Sequence, residues 1–399
     1  MRYYDDLFDV AIIGGGYLGL VLALMLAPSG RKICIVESNK FSKKLEEDET
    51  GRLFAISFGS LEILKRFHVI DLKDLCVQTI NGIQVFDGNS KVEFNPGDLG
   101  LDYFGCMVQE HDLMSALLKR VRIFENVLLL DSTKLVDIVE DDYGIVSCSL
   151  NDIRNNSKSV LRASCVIATD GKCSSIRKML KLKTHRKSYE QSAIVFDILH
   201  KHSHCGIAVE KFFSSGPLAI LPKVGEHSSS IVWTLSEGAA SAVLSLSKNS
   251  IIELLSAKVP EFGELKLDSR IKSFPLSLQK AEDYYDGNIV FVGDALHTIH
   301  PLAGQGLNLG LRDAAVLCDI ILQNFRVGLD AVAFDAFSRY EAERKSDVFL
   351  MMFATDFLNN IFSNDIASLK MARKICMSVV NNISLVRSVF LRYATYGLN

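Results

Sequence analysis

Gly293-Asp294-Ala295-Leu296-His297-Thr298-Ile299-His300-Pro301-Leu302-Ala303-Gly304-Gln305-Gly306-Leu307-Asn308-Leu309-Gly310-Leu311-Arg312-Asp313 is the stretch from which the fold is worked outward. Ile289 to Val292, just before it, is apolar and mostly β-branched, so Gly293-Asp294 should stand at the mouth of a buried strand. From Leu307 onward, Leu309, Leu311, Ala314, Ala315, Leu317, Cys318 and Leu322 take helical spacing, with Gly304 and Gly306 as the break ahead of it. A carboxylate at a strand end beside a glycine-flanked helix start supplies an acceptor for a sugar-like hydroxyl. It also supplies a cluster of free backbone N–H groups at the positive end of a helix dipole. A plain turn has no use for His297 and His300 with a proline directly after, or for Gln305 and Asn308 among the glycines.

The N-terminus carries a second site of the same kind. Phe8 to Ile13 reads as a buried strand, followed by Gly14-Gly15-Gly16-Tyr17-Leu18-Gly19 and an apolar helix from Leu20 to Ala27. Gly14, Gly16 and Gly19 form G-x-G-x-x-G in the strand-turn-helix context of a dinucleotide fold. Ile33-Cys34-Ile35-Val36 is a further strand, ending in Glu37 about 20 residues on, where a ribose diol needs an acceptor. These residues name an adenine dinucleotide and leave FAD and NAD both open.

A third segment narrows the choice. Cys165 to Ala168 reads as a short buried strand, and Thr169-Asp170-Gly171-Lys172-Cys173-Ser174-Ser175-Ile176-Arg177 follows. Alone it is an Asp-Gly turn with a helix N-cap at Ser174. Placed between the other two, it is similar to the D-G-x-x-S-x-x-R segment of aromatic hydroxylase flavoproteins, with Thr169 where alanine is usual. His300 to Asp313 resembles the signature of the FAD-dependent aromatic hydroxylases of ubiquinone biosynthesis, class A flavoprotein monooxygenases similar to p-hydroxybenzoate hydroxylase. Smaller matches span nearly the whole chain. Arg52 resembles the family's arginine that reaches the cofactor, and Gly216 to Pro222 with Val232-Trp233 resembles its substrate-domain strands over the flavin ring. Tyr340, Arg344, Asp347, Thr355-Asp356, Phe362-Ser363 and Arg373 recur at family spacing.

Composition sets outer bounds. A chain of 399 residues, 48% hydrophobic, has room for roughly two or three units and a sizeable core. The net charge of −3 leaves no electrostatic footprint for nucleic acid. Nine cysteines without a C-x-x-C pair read as buried apolar residues in a reducing compartment. His200, His202 and His204 alternate and could share a strand face as metal ligands. Without a carboxylate beside them they are expected as solvated loop or edge residues, and no metal site is expected. Met1 to Asp6 is polar and no secretory signal precedes the first strand. The longest apolar run, around Leu18 to Ala27, is about half of the ~20 residues a membrane span needs. A cytoplasmic protein is expected.

The expected architecture is α/β: a Rossmann-like FAD-binding domain with an inserted mixed β-sheet substrate domain and a helical C-terminal tail, as in p-hydroxybenzoate hydroxylase. Residues 1–70, 100–185 and 276–325 should form the discontinuous FAD-binding domain, 71–99 and 186–275 the substrate sheet, and 326–399 the helical region. Lys43 to Glu49 reads as a solvated charge run.

The resemblance implies hydroxylation of the ring of a polyprenylated phenol or benzoquinol by FAD, reduced by NADH or NADPH and carrying O2 as a hydroperoxide. It places Gly14, Gly16 and Gly19 at the pyrophosphate, Glu37 at the adenosine ribose and Asp294 at the ribityl hydroxyls. Gly304, Gly306 and the amides of Leu307 and Asn308 would face the flavin's pyrimidine edge. No second G-x-G-x-x-G exists for the nicotinamide, so the reductant should dock transiently, with Asp170 a candidate contact. His300 is the candidate catalytic base for the phenol proton, against a packed structural role. The alternatives are a flavin hydroxylase of a soluble phenol, a prenyl-lipid oxidoreductase, and a non-catalytic escort for prenylated partners. In the tail, Phe349, Met352, Phe353, Phe357, Ile361 and Phe362 form an apolar stripe. With Lys345, Arg373, Lys374, Arg387 and Arg392 nearby, the expectation is peripheral contact with the inner face of the cytoplasmic membrane, or docking to other quinone-biosynthesis proteins, through residues after about 345.

Overall fold

A computed structural model describes residues 2–41, 52–300, 304–362, 373 and 377–398. The charge run at 43–49, Pro301 to Ala303, Ser363 and Lys374 lie outside the described residues.

Val10–Ile13, Ile33–Val36, Val166–Ala168 and Ile289–Phe291 are buried along their whole length, as strands of a parallel sheet covered on both faces must be. They form a six-stranded sheet in the order Tyr285–Asp286, Ile289–Phe291, Val166–Ala168, Val10–Ile13, Ile33–Val36, Val127–Leu130. The pairings are parallel except at the Tyr285–Asp286 edge. The helix Tyr17–Leu26 is apolar on every side, and Leu18 to Leu26 are all buried. Helices Glu110–Val121 and Gln305–Arg326 pack against it. Gly310 and Gly293 are needed for this closeness, since a Cβ on Gly293 would sit 2.4 Å from a Leu18 methyl and one on Gly310 at 3.3 Å.

A nine-stranded mixed sheet stands beside this unit. Its order is His297–Thr298, Lys272–Ala281, Thr184–His200, Ser228–Ser236, Gly216–Pro222, Ile207–Phe213, Gly82–Asp87, Ser90–Phe94, with Leu265–Leu267 added along Thr184–His200. Because successive strand residues face opposite sides, the sheet feeds two clusters. Phe196, Leu218, Ile231 and Trp233 pack under helices Glu237–Leu244 and Lys248–Lys258. Val92, Phe94, Ala208 and Phe212 face Met107, Phe362 and Leu391 instead. A three-stranded sheet, ordered Leu53–Ser57, Gly105–Gln109, Val77–Thr79, joins the two units.

The histidine alternation resolves differently from its sequence reading. His200 and His204 are buried rather than solvated. His200 bonds the Ser229 hydroxyl at 2.9 Å and the His202 carbonyl at 2.7 Å. His204 Nδ1 accepts from Gly206 N–H, which leaves Nε2 to donate to the Lys223 and Gly225 carbonyls. These neighbours satisfy both rings. Cys34, Cys106, Cys148, Cys165 and Cys318 are buried as expected, whereas Cys76, Cys173 and Cys205 are exposed.

The tail stripe splits. In the helix Ala336–Phe362, Val348, Met351, Met352 and Phe362 face inward, while Phe349, Phe353 and Phe357 point outward. The basic residues near it are largely engaged: Lys345 with Glu341, Arg373 with Asp87, and Arg387 with Asp98. No helix among the described residues is long and apolar enough to cross a membrane.

Candidate active site

At the first glycine turn the three glycines have different tasks. Gly14 has φ +114°, and a Cβ there would meet the Thr169 carbonyl oxygen at 2.5 Å. A Cβ on Gly19 would lie 2.0 Å from the Gly14 carbonyl oxygen. Both therefore serve close packing. Around a Cβ on Gly16 there is nothing within 4 Å, so this position faces open space at the start of helix Tyr17–Leu26. No side chain caps that helix, although serines cap Phe58–Arg66, Ser175–Met179, Glu237–Leu244 and Lys248–Lys258. Its first N–H groups stay available for an anion. Glu37 is buried at the end of the next strand and accepts from the backbone N–H of Gly15 at 2.7 Å and of Asn39 at 2.8 Å. The Ser38 hydroxyl also donates to it at 3.3 Å.

Asp170 uses one carboxyl oxygen in its own loop. Its Oδ2 accepts from Ser175 N–H at 2.6 Å and from the Ser175 hydroxyl at 2.9 Å, capping the short helix Ser175–Met179. Oδ1 is buried with no hydrogen-bond partner among the described residues. Thr169 ties the turn to the first motif by donating its hydroxyl to the Gly14 carbonyl at 2.8 Å, which gives the threonine at this position a use. Arg177, buried, donates to the Ala295 and Lys172 carbonyls, each at 2.6 Å, and so pins this segment to the third motif.

Asp294 lies just past the strand Ile289–Phe291 in a short 3-10 turn. Burial raises its carboxyl above the usual range, opposed by His297, Arg52, Lys172 and Arg177 nearby. Among the described residues no hydrogen bond satisfies it. Arg52 itself is exposed, with its guanidinium 6.0 Å from the centre of the Phe54 ring. The helix Gln305–Arg326 begins at Gly304, whose φ of +63° is left-handed, and has no side-chain cap. A Cβ on Gly306 would find nothing within 4 Å. Asn308 fixes this helix start against strand Leu53–Ser57, donating to the Ala55 carbonyl at 3.0 Å and accepting from Ser57 N–H at 2.9 Å.

Beneath the turn lies a buried ion cluster that the sequence reading did not assemble. Asp313 meets His297 at 2.6 Å and Arg344 at 2.7 Å, and also accepts from Gly293 N–H at 3.2 Å. Asp347 meets Arg344 and Arg312, both at 2.8 Å. Burial alone would raise the Asp313 carboxyl, but His297 and Arg344 bring it down to about 2. The available signals were His297 and Asp313 inside the motif and Arg344 and Asp347 at family spacing, but their partnership is set by packing.

His300 is buried, with its ring edge-on to Tyr189 at 4.9 Å between centroids. Burial lowers its pKa to about 4, with Asp356 opposing. It is a neutral imidazole near pH 7, with little driving force to take a phenol proton. Among the described residues no group of His, Cys, Asp and Glu side chains is arranged to hold a metal.

Over residues 8–348 the chain matches the FAD binding domain family. The chain belongs to that family. It is 34% identical over 392 residues to the ubiquinone hydroxylase UbiL of Rhodospirillum rubrum, spanning 98% of this chain and 90% of the relative. It is 27% identical to the 3-demethoxyubiquinol 3-hydroxylase of Escherichia coli, spanning 97% of this chain and 98% of the relative. The fold is that of p-nitrophenol 4-monooxygenase PnpA from Pseudomonas putida, with TM-score 0.81, 18% identity and full coverage of both chains. The residues present fit FAD: two uncapped helix starts at open glycines suit its phosphates and ring edge, and the unsatisfied Asp294 carboxyl suits a sugar hydroxyl.

Proposed function

We propose that this chain is an NAD(P)H- and O2-dependent monooxygenase that hydroxylates the aromatic ring of a polyprenylated phenol or benzoquinol in ubiquinone biosynthesis. The observation that carries the reading is Asp294, a partly exposed carboxyl without a hydrogen-bond partner among the described residues, next to the uncapped helix Gln305–Arg326. Relatives that match along almost their whole length are named for ubiquinone and demethoxyubiquinol hydroxylation, which supports the substrate class. Bound FAD supplies the electrons and activates O2. Gly16 admits the pyrophosphate at a turn that Gly14 and Gly19 keep closely packed, Glu37 takes the adenosine ribose, and Asp294 takes the ribityl hydroxyls. Gly304, Gly306 and the amides of Leu307 and Asn308 hold the pyrimidine edge. Arg52, exposed, acts electrostatically on Asp294 and would reach the cofactor from that side. Asp170 orders the loop that meets the first glycine turn, a support role that fits its capping bonds better than contact with the reductant.

The ring would enter a chamber opened among the apolar side chains of Val92, Phe94, Met107, Ala208 and Phe212, which pack together here with Phe362, itself stacked on Phe212 at 3.9 Å. Such walls exclude water and receive a hydrophobic ring. Expression in hydroxylase-deficient cells tests the reading: restored ubiquinone, with loss of the accumulated unhydroxylated precursor by mass, is expected. A precursor that persists beside well-expressed, FAD-loaded protein contradicts it.

A prenylated substrate stays in lipid while its ring reacts. Phe349, Phe353 and Phe357 are 65%, 57% and 47% exposed and form a stacked ladder along one outer helix face. This ladder, more than the largely ion-paired basic residues, supports peripheral contact with a membrane surface. Replacing Phe349 and Phe353 by serine should reduce flotation with anionic liposomes while FAD content and melting temperature hold. Unchanged flotation removes the ladder from the account.

A further inference from the structure

The substrate sheet carries one acid where its neighbours give no reason for it. Glu210 lies on strand Ile207–Phe213, opposite Val85 on one side and Ala219 on the other. Continuing along the row, Val85 pairs with Val92, Ala219 with Val232, and Val232 with Val195. Residues in such a row share one face of the sheet. Ala208 and Phe212, two residues to either side of Glu210, fix that face as the chamber side. The row thus reads aliphatic on both sides of Glu210 from Val92 to Val195, and beyond Val195 it reaches Lys272.

Across the chamber stand Leu53, Ala55 and Met107. Ala55 also touches the helix start reserved for the flavin edge, since a Cβ on Gly304 would be 3.2 Å from its own and Asn308 bonds its carbonyl. Glu210 therefore faces the space between the cofactor floor and the sheet. It keeps partial accessibility although it is deep in the protein, which suits a side chain lining a hollow. Among the described residues no hydrogen bond or ion pair engages its carboxyl. Among the described residues the charged groups toward this face are the Asp87–Arg373, Asp197–Lys223 and Asp98–Arg387 pairs, Arg387 lying over the Phe94 ring, and Lys272 toward the far edge. Burial pushes the Glu210 carboxyl up to about 8, with no charged neighbour contributing.

We propose that Glu210 is the catalytic residue that receives the ring hydroxyl of the aromatic substrate, hydrogen-bonds it and accepts its proton. The phenol O–H bond breaks, a carboxyl O–H bond forms, and the electron pair stays on the phenolate oxygen, where it activates the ring carbons for oxygen transfer. The same acid disfavours a substrate that carries a carboxylate at this end, because the chamber would have to hold two like charges. This assignment rests on the proposed ring hydroxylation.

The test is binding of 4-methylphenol to the FAD-loaded protein, followed by perturbation of the flavin absorbance between pH 6.5 and 9. An ionised carboxylate accepts a stronger hydrogen bond than a neutral carboxyl, so affinity should rise roughly fivefold to tenfold through a midpoint near 8. Glu210→Gln should abolish this pH dependence and divert reductant from hydroxylated product to hydrogen peroxide. Glu210→Asp should keep the dependence with a shifted midpoint, and decides the matter if the glutamine variant does not retain FAD. A flat wild-type profile, or the same profile in Glu210→Gln, overturns the assignment. A profile as expected, with no hydroxylated product from any phenol, would leave Glu210 as the binding group and refute the monooxygenase reading instead.

Discussion

Replacing Asp313 by asparagine keeps the shape of the buried cluster and removes one negative charge from it. Asp313 is fully buried and holds His297 and Arg344, while Arg344 and Arg312 share Asp347. The variant leaves two guanidinium groups against one carboxylate among buried side chains. Breaking a buried pair from one side costs about 3–5 kcal/mol. Unfolding entropy of about 2.1 cal/mol/K per residue over 399 residues is roughly 0.8 kcal/mol/K, so calorimetry should show the midpoint falling by roughly 4–6 °C. Arg344→Met added to Asp313→Asn removes the surplus charge, and the double variant should lose less than the sum of the two single losses. The pH dependence has a definite sign. A carboxylate depressed to about 2 in the fold stabilises it above the ordinary value of 3.8, and that stability disappears as pH falls through about 2. The amount is about 2 kcal/mol, so the gap between wild type and Asp313→Asn should narrow from pH 5 to pH 2. A midpoint shift below about 1 °C at neutral pH, or strictly additive single and double variants, would refute the reasoning.

Asp294→Ala should weaken FAD binding roughly 10- to 150-fold, the equivalent of one charge-assisted hydrogen bond of about 1.5–3 kcal/mol, measured by flavin fluorescence on reconstitution; unchanged affinity would remove Asp294 from the ribityl site. Gly14→Ala places a Cβ 2.5 Å from the Thr169 carbonyl at φ +114° and should lower the melting temperature of the apoprotein. Gly16→Ala meets nothing within 4 Å and should leave that temperature alone while reducing FAD affinity. Equal effects of the two alanines on apoprotein stability would mean that the turn has been misread.

What the sequence disclosed was local. Gly14 to Gly19, Glu37, Asp170 and Gly293 to Asn308 announce themselves because a strand end, a glycine turn and a helix start lie within a few residues of one another. The partners of Asp313 are 16 and 31 residues away, and only packing of helix Ala336–Phe362 on helix Gln305–Arg326 joins them. Glu210 was passed over because its row is assembled across strands from Val92 to Val195, and no linear pattern marks it. His200 and His204 were read as solvated because the alternation gave no sign of Ser229 or of the 223–225 carbonyls that enclose them. The Phe349-to-Phe362 stripe has apolar residues on both helix faces, so periodicity could not set its rotation.

The measurement that bears most directly on the account is the origin of the new ring oxygen. Purified FAD-loaded protein, NADH or NADPH and a prenylated phenol are incubated under heavy-isotope O2 in ordinary water, and the product is weighed by mass spectrometry. One heavy oxygen atom per hydroxylated ring, with product formation coupled to reductant consumption, is the expected result. Product carrying only oxygen from water, or consumption of reductant to hydrogen peroxide alone with every phenol supplied, would contradict it.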